Sequence, residues 1–127
     1  MNLEKVAFGF FIILALTLNF GFFLGDMGNP DHHNEYELFA AIVVNLVATV
    51  LKFGDRTQMG ALLLATSLVA DLELLTATVI WAAAVHVGVH GLTPAVMASI
   101  VSLSGGALLA NITSVVLLVI ETVMLRR

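Results

Sequence analysis

The sequence predicts an all-α membrane protein: four transmembrane helices, both termini on the cytoplasmic side, assembled as a symmetric homo-oligomer. Three observations lead there. The 127 residues are 60% hydrophobic and only 11% charged, with a mean hydropathy of +1.05, where a soluble domain carries about 25% charged residues. Apolar runs close to the ~20 residues needed to cross a ~30 Å hydrocarbon core recur between short polar turns. Every Lys and Arg falls on one side of the spans so defined.

The first span is predicted over residues 6–24. Lys5 ahead of an apolar run suggests a signal peptide, but the run from Val6 to Leu24 exceeds a typical secretory h-region, so it reads as a retained helix. The Gly25-Asp26-Met27-Gly28-Asn29-Pro30 cluster then reverses the chain. Asn34 followed by Glu37 has the spacing of a capping box and opens a second span over 36–53. Gly54 permits a tight turn, and Asp55 with Gln58 repeats the capping pattern for a third span over 59–87. Thr93-Pro94, a cap followed by proline at the first helical position, starts a fourth span over 94–125. Four spans and short turns fill the length, so the chain reads as one domain, 1–127, with no internal repeat.

Orientation follows from the basic residues. Lys5 precedes the first span, Lys52 and Arg56 flank the turn between the second and third, and Arg126 and Arg127 follow the fourth. The opposite side holds Asp26, Asp31, Glu35 and Glu37 with all four histidines. Basic residues are retained in the cytoplasm, which gives cytoplasmic termini. A C-terminal reporter active only in the cytoplasm should therefore be active; activity of a periplasm-specific reporter there would reverse the topology.

Polar residues sit near the middle of every span: Asn19, Asn45 with Thr49, the pair Asp71 and Glu73, and Asn111. At a rise of about 1.5 Å per residue, Asn45, Asp71, Glu73 and Asn111 fall in one layer, with Asn19 displaced toward the acidic side. A carboxylate at that depth costs at least about 2.5 kcal/mol, so each needs a partner, a proton or water. Asp71 and Glu73, two residues apart, lie about 200° apart around the helix axis and face opposite ways. Asp71 shares its side with Ser67 and Thr78, Glu73 with Thr66 and Ala77. One face is then expected to meet a neighbouring copy or a water-filled path, which is the argument for a homo-oligomer. Small residues at four-residue spacing, Ala98, Ser102, Gly106, Ala110 and Ser114, with a shorter set at Thr17, Gly21 and Gly25, fit close helix packing, within the subunit or at an interface.

The acidic side offers Asp31, His32, His33, Glu35 and Glu37, read as a solvated loop or a cation-attracting outer mouth. Adjacent histidines diverge on any regular backbone, and no spaced ligand motif is present, so neither metal nor cofactor is predicted. His86 and His90 read as interfacial polar residues, Trp81 and Tyr36 as interfacial aromatics, and Glu121 as a local partner of Arg126 and Arg127. The formal charge of −4 gives no basic patch for nucleic acid, and the absence of cysteine removes thiolate chemistry. No catalytic constellation is visible, so no enzyme is expected.

Two stretches carry a resemblance: Asn2-Leu3-Glu4-Lys5-Val6 with Phe8-Gly9-Phe10-Phe11, and Leu51-Lys52-Phe53-Gly54-Asp55-Arg56-Thr57-Gln58. They resemble a family of short bacterial four-helix inner-membrane proteins of unknown function, which implies a bacterial source and no mechanism. In size the chain is also similar to the small multidrug resistance transporters, but those place an essential carboxylate in their first helix, where this sequence has none. The expected function is a homo-oligomeric, channel-like cation pore. Asp71 or Glu73 would supply the charge, and Asn19, Asn45, Thr49 and Asn111 the neutral lining. Alternatives are a non-conducting accessory or scaffold subunit of another membrane protein, and a small proton-coupled transporter. The expected partners are the lipid bilayer, further copies of the chain, monovalent cations or protons, and possible membrane-protein partners.

Overall fold

A computed structural model describes residues 3–125. Helix α1 spans Leu3–Phe23, a 3₁₀ turn covers Pro30–His32, and α2 spans Glu35–Lys52, α3 Gln58–His86 and α4 Pro94–Leu125. No strand occurs among the described residues. The helix starts lie within one residue of expectation except in α1, which begins three residues earlier than the predicted 6. Glu4 in its first turn suits the positive end of the helix dipole. Arg126 and Arg127, two of the five basic residues that set the expected orientation, lie outside the described residues.

The helices run antiparallel in sequence order, and α1 closes back on α4, so each packs against two neighbours. Helices α1, α3 and α4 are long and apolar enough to cross a membrane. Helix α2 has 18 residues, with Glu35 and Glu37 in its first turn and Lys52 in its last. Large apolar side chains cover the outside of all four helices, among them Phe10, Phe20, Val43, Val50, Leu72, Val79, Leu109 and Val123. Such a surface is unsuited to water and suited to lipid.

Three caps fix the turns, and one differs from expectation. Asn34 Oδ1 accepts from Tyr36 N–H at 2.8 Å, as a cap of α2 should. Glu37, however, does not reach back to complete the box; its carboxylate lies against Gly21 of α1, where a Cβ would collide with it. At α3 the cap is Thr57, whose hydroxyl accepts from Gly60 N–H at 2.9 Å. Asp55 sits one step outside, accepting from Thr57 N–H at 3.0 Å and Thr57 Oγ1 at 2.7 Å. These bonds from Thr57, with a smaller contribution from Lys52, hold the Asp55 carboxyl below the usual carboxylate range. The expected Asp55–Gln58 box is thus replaced by an Asp55–Thr57 relay. Thr93 caps α4 as predicted, its hydroxyl accepting from Val96 N–H at 3.2 Å.

The apolar interior falls into two clusters. Phe22, Leu38, Leu74, Trp81, Met97 and Ile100 fill the end near the 25–34 turn. Phe8, Ile12, Ala48 and Leu63 fill the other. Trp81, expected at the lipid interface, is instead 6% exposed in the first cluster, its ring 6.1 Å from that of Phe22. At the basic end Lys5 Nζ donates to Glu121 Oε1 at 2.6 Å, tying α1 to α4. Glu121 therefore has a partner on another helix. Lys52 is buried with its ammonium 4.4 Å from the centre of the Phe8 ring and 3.4 Å from Asp55 Oδ2.

Candidate functional site

Between the two apolar clusters lies a layer of buried polar side chains. Asn45 and Thr49 are one turn apart on α2 and share a face. Ser67 and Asp71 repeat that spacing on the facing side of α3. The Asp71 carboxylate accepts from Asn45 Nδ2 at 2.6 Å through one oxygen and from Thr49 Oγ1 at 2.5 Å through the other. Asn45 Nδ2 also reaches the Ser67 carbonyl at 3.2 Å. Two donors from α2 thus hold both oxygens of a side chain on α3.

Helix α4 completes the layer. The Thr66 and Ser114 hydroxyls meet at 2.6 Å, and the Glu73 carboxylate packs against Gly106, so the antiparallel register of α3 and α4 is fixed at two points. That register sets Asn111, which is fully buried, level with residues 67–71 of α3. Neither polar atom of the Asn111 amide has a hydrogen-bond partner, and Asn45 Oδ1 and Ser67 Oγ also lack one. Buried polar atoms are almost always paired, and each orphan costs about 1–3 kcal/mol. The layer holds four such atoms.

The remaining predicted residues divide. Asn19 is fully buried but sits nearer the acidic end, its amide nitrogen donating to Ser104 Oγ at 2.7 Å and its oxygen accepting from Leu108 N–H at 3.0 Å. It is a satisfied α1–α4 contact and not part of the layer. Glu73 is half-buried on the α4 side of α3, apart from Asp71. Its separation from Asp71 was expected, and the two side chains meet different neighbours: Asp71 bonds to α2, while Glu73 lies against Gly106 of α4 and stays partly exposed. The small stripe of α4 packs on α3: Gly106 accommodates Glu73, Ser114 bonds Thr66, and only the Ser102 end is exposed. Gly21 makes room for Glu37, while Thr17 is exposed and Gly25, at φ +104°, forms the turn after α1.

The acidic end is more structured than a solvated mouth. Asp31 and His32 are exposed, but His33 is 3% exposed, with Nδ1 at 2.6 Å from the Phe22 carbonyl and Nε2 at 2.8 Å from the Asp26 carbonyl. A neutral imidazole can donate to only one of these; a doubly protonated ring donates to both. Either way His33 is a clasp closing the 25–34 turn onto α1. No cluster of three or more potential metal-ligating His, Cys, Asp or Glu residues exists among the described residues.

Ser67 was visible in the sequence only as a neighbour of Asp71 on its face, and its orphaned hydroxyl makes it part of the layer. The signal was the four-residue spacing of Ser67–Asp71 against Asn45–Thr49. A sequence profile for a family of unknown function matches residues 32–122, which contain α2, α3 and nearly all of α4 with the whole polar layer. The chain belongs to DUF6394. The Leu51–Gln58 stretch falls inside the matched region of this DUF6394 protein, and the Asn2–Phe11 stretch falls outside it. No curated protein and no solved structure matches the chain.

Proposed function

We propose that this DUF6394 protein crosses a bacterial inner membrane four times, with cytoplasmic termini, and moves small cations through the interior of each bundle. The observation that carries the reading is the buried Asn45–Asp71–Thr49 clamp, flanked by unpartnered polar atoms midway along helices of membrane-spanning length. An intramembrane carboxylate surrounded by oxygen and amide groups is the usual element of an ion or proton route. The apolar clusters above and below the layer favour a route that opens to one side at a time over a permanently open pore. Helix α2 supports the fourth crossing: at about 1.5 Å per residue its 18 residues reach about 27 Å. Its charged residues cluster at its two ends, and Val43, Leu46, Val47 and Val50 present an apolar outer face between them. The path lies within a bundle, so self-association is not needed to form it.

Protein reconstituted in liposomes should release an imposed gradient of monovalent cations or protons, and Asp71→Asn should reduce that flux at least tenfold. Glu73→Gln, on the α4 side and outside the clamp, should change it less than threefold. Absence of flux under every gradient, or full flux in Asp71→Asn, would sink the proposal and leave an accessory or scaffold role for the protein.

A further inference from the structure

We infer that the polar layer is a binding site for one dehydrated monovalent metal cation of the sodium class, held by Asp71 together with the side-chain oxygens of Asn45, Ser67 and Asn111. The inference rests on the cation-moving reading above and specifies its occupant. Three observations carry it.

The first is the ligand chemistry. Asp71 is the one carboxylate in the layer, because Glu73 turns to Gly106 on the other side of α3 and Glu37 to Gly21 near the acidic end. The same buried layer holds neutral oxygens: two amides, Asn45 and Asn111, and two hydroxyls, Ser67 and Thr49. Hard oxygens with no imidazole or thiolate select alkali and alkaline-earth ions over transition metals. The second is charge balance. In an apolar interior, one carboxylate and one monovalent cation make a neutral site, whereas a divalent ion would leave a net positive charge uncompensated.

The third observation is the pattern of unsatisfied atoms. Asn45 spends its amide nitrogen on Asp71 and the Ser67 carbonyl, yet its Oδ1 accepts nothing. Ser67 Oγ, one turn from Asp71, and both polar atoms of Asn111 are likewise unpartnered, and all three side chains are fully buried. Three unpartnered oxygens, on Asn45, Ser67 and Asn111, thus occupy the same layer as one carboxylate and are free to coordinate an ion beside it. A proton on Asp71 would need only one oxygen and would leave the others orphaned, so the surplus of acceptors favours a metal ion over a proton. Asn45 and Thr49 then act as positioning residues as well, their donors fixing the orientation of the carboxylate.

The test is thermal unfolding of the purified full chain in detergent or nanodiscs, followed by Trp81 fluorescence, at constant ionic strength with NaCl, KCl, MgCl₂ or choline chloride. A ligand that binds the folded state raises the midpoint with its concentration. The wild type should gain roughly 4–8 °C in saturating sodium relative to choline, with a smaller gain in potassium and none specific to magnesium. Asp71→Asn and Asn111→Leu should show no sodium-specific gain; if the first does not fold, the second carries the comparison. An equal midpoint in sodium and choline at every pH overturns the site, as does a sodium gain that survives in either variant. The two readings separate cleanly. Flux without sodium-linked stabilisation removes this site and leaves the transport proposal, while sodium-linked stabilisation without flux does the reverse.

Discussion

Asn111→Leu should make the bundle more stable and at the same time silence it. Asn111 is fully buried with both polar atoms unpartnered, so the native fold carries the desolvation of a whole amide with nothing in return. Leucine has a similar volume, introduces no polar atom, and should raise stability by about 1–3 kcal/mol, the usual cost of an orphaned buried group. If the amide is there to complete an ion shell, the same change should lower cation flux at least tenfold. Packing glue behaves the opposite way, since removing a residue that holds helices together lowers stability. The measurement is a pair: unfolding midpoint and liposome flux on one preparation. A less stable Asn111→Leu protein with normal flux would show that the amide serves packing alone, and would remove α4 from the route. Stability set against activity at one buried position is the expected mark of a functional site.

Phe22→Ala should carry the largest purely structural penalty. Phe22 is fully buried, 6.1 Å from the Trp81 ring and 5.5 Å from the His33 ring, so it is the contact shared by α1, α3 and the 25–34 turn. Lipid reduces the transfer component of such a loss, but the cavity component remains, because the packed neighbours relax only in part. A loss of about 3–5 kcal/mol is expected, with a red shift in the fluorescence of Trp81, the sole tryptophan. The bond between the His33 imidazole and the Phe22 main-chain carbonyl does not depend on the Phe22 ring, so the clasp itself should persist. A loss below about 1 kcal/mol would mean that the aromatic group is not what seals that end.

The sequence legible in these residues stops at a definite point. Helix positions could be read because turn residues and caps act locally: Thr93-Pro94 starts α4 and Asn34 starts α2 whatever lies nearby. The Asp55 cap was misread by two residues because Asp55, Thr57 and Gln58 all suit a helix start, and only the chain path decides which oxygen meets Gly60 N–H. Trp81 was misplaced for a similar reason. An aromatic near the end of a long apolar helix satisfies the interfacial pattern, but whether it faces lipid or Phe22 depends on helix rotation within the bundle, which a nearly uniform apolar helix does not encode.

By itself, the sequence determined the solvent and the skeleton: too few charges for water, apolar runs of membrane length, basic residues on one side, and polar residues at mid-depth. These are properties of composition and spacing along one axis. Tertiary structure alone decided which polar groups meet. It placed α3 between α2 and α4, so that Asp71 meets α2 and Glu73 meets Gly106 of α4. It paired Asp71 with Asn45 and Thr49, gave Asn19 to Ser104, and left Asn111 with no partner at all. The physical reason is that helical period fixes which residues share a face, whereas the neighbour of that face is set by packing among helices far apart in sequence.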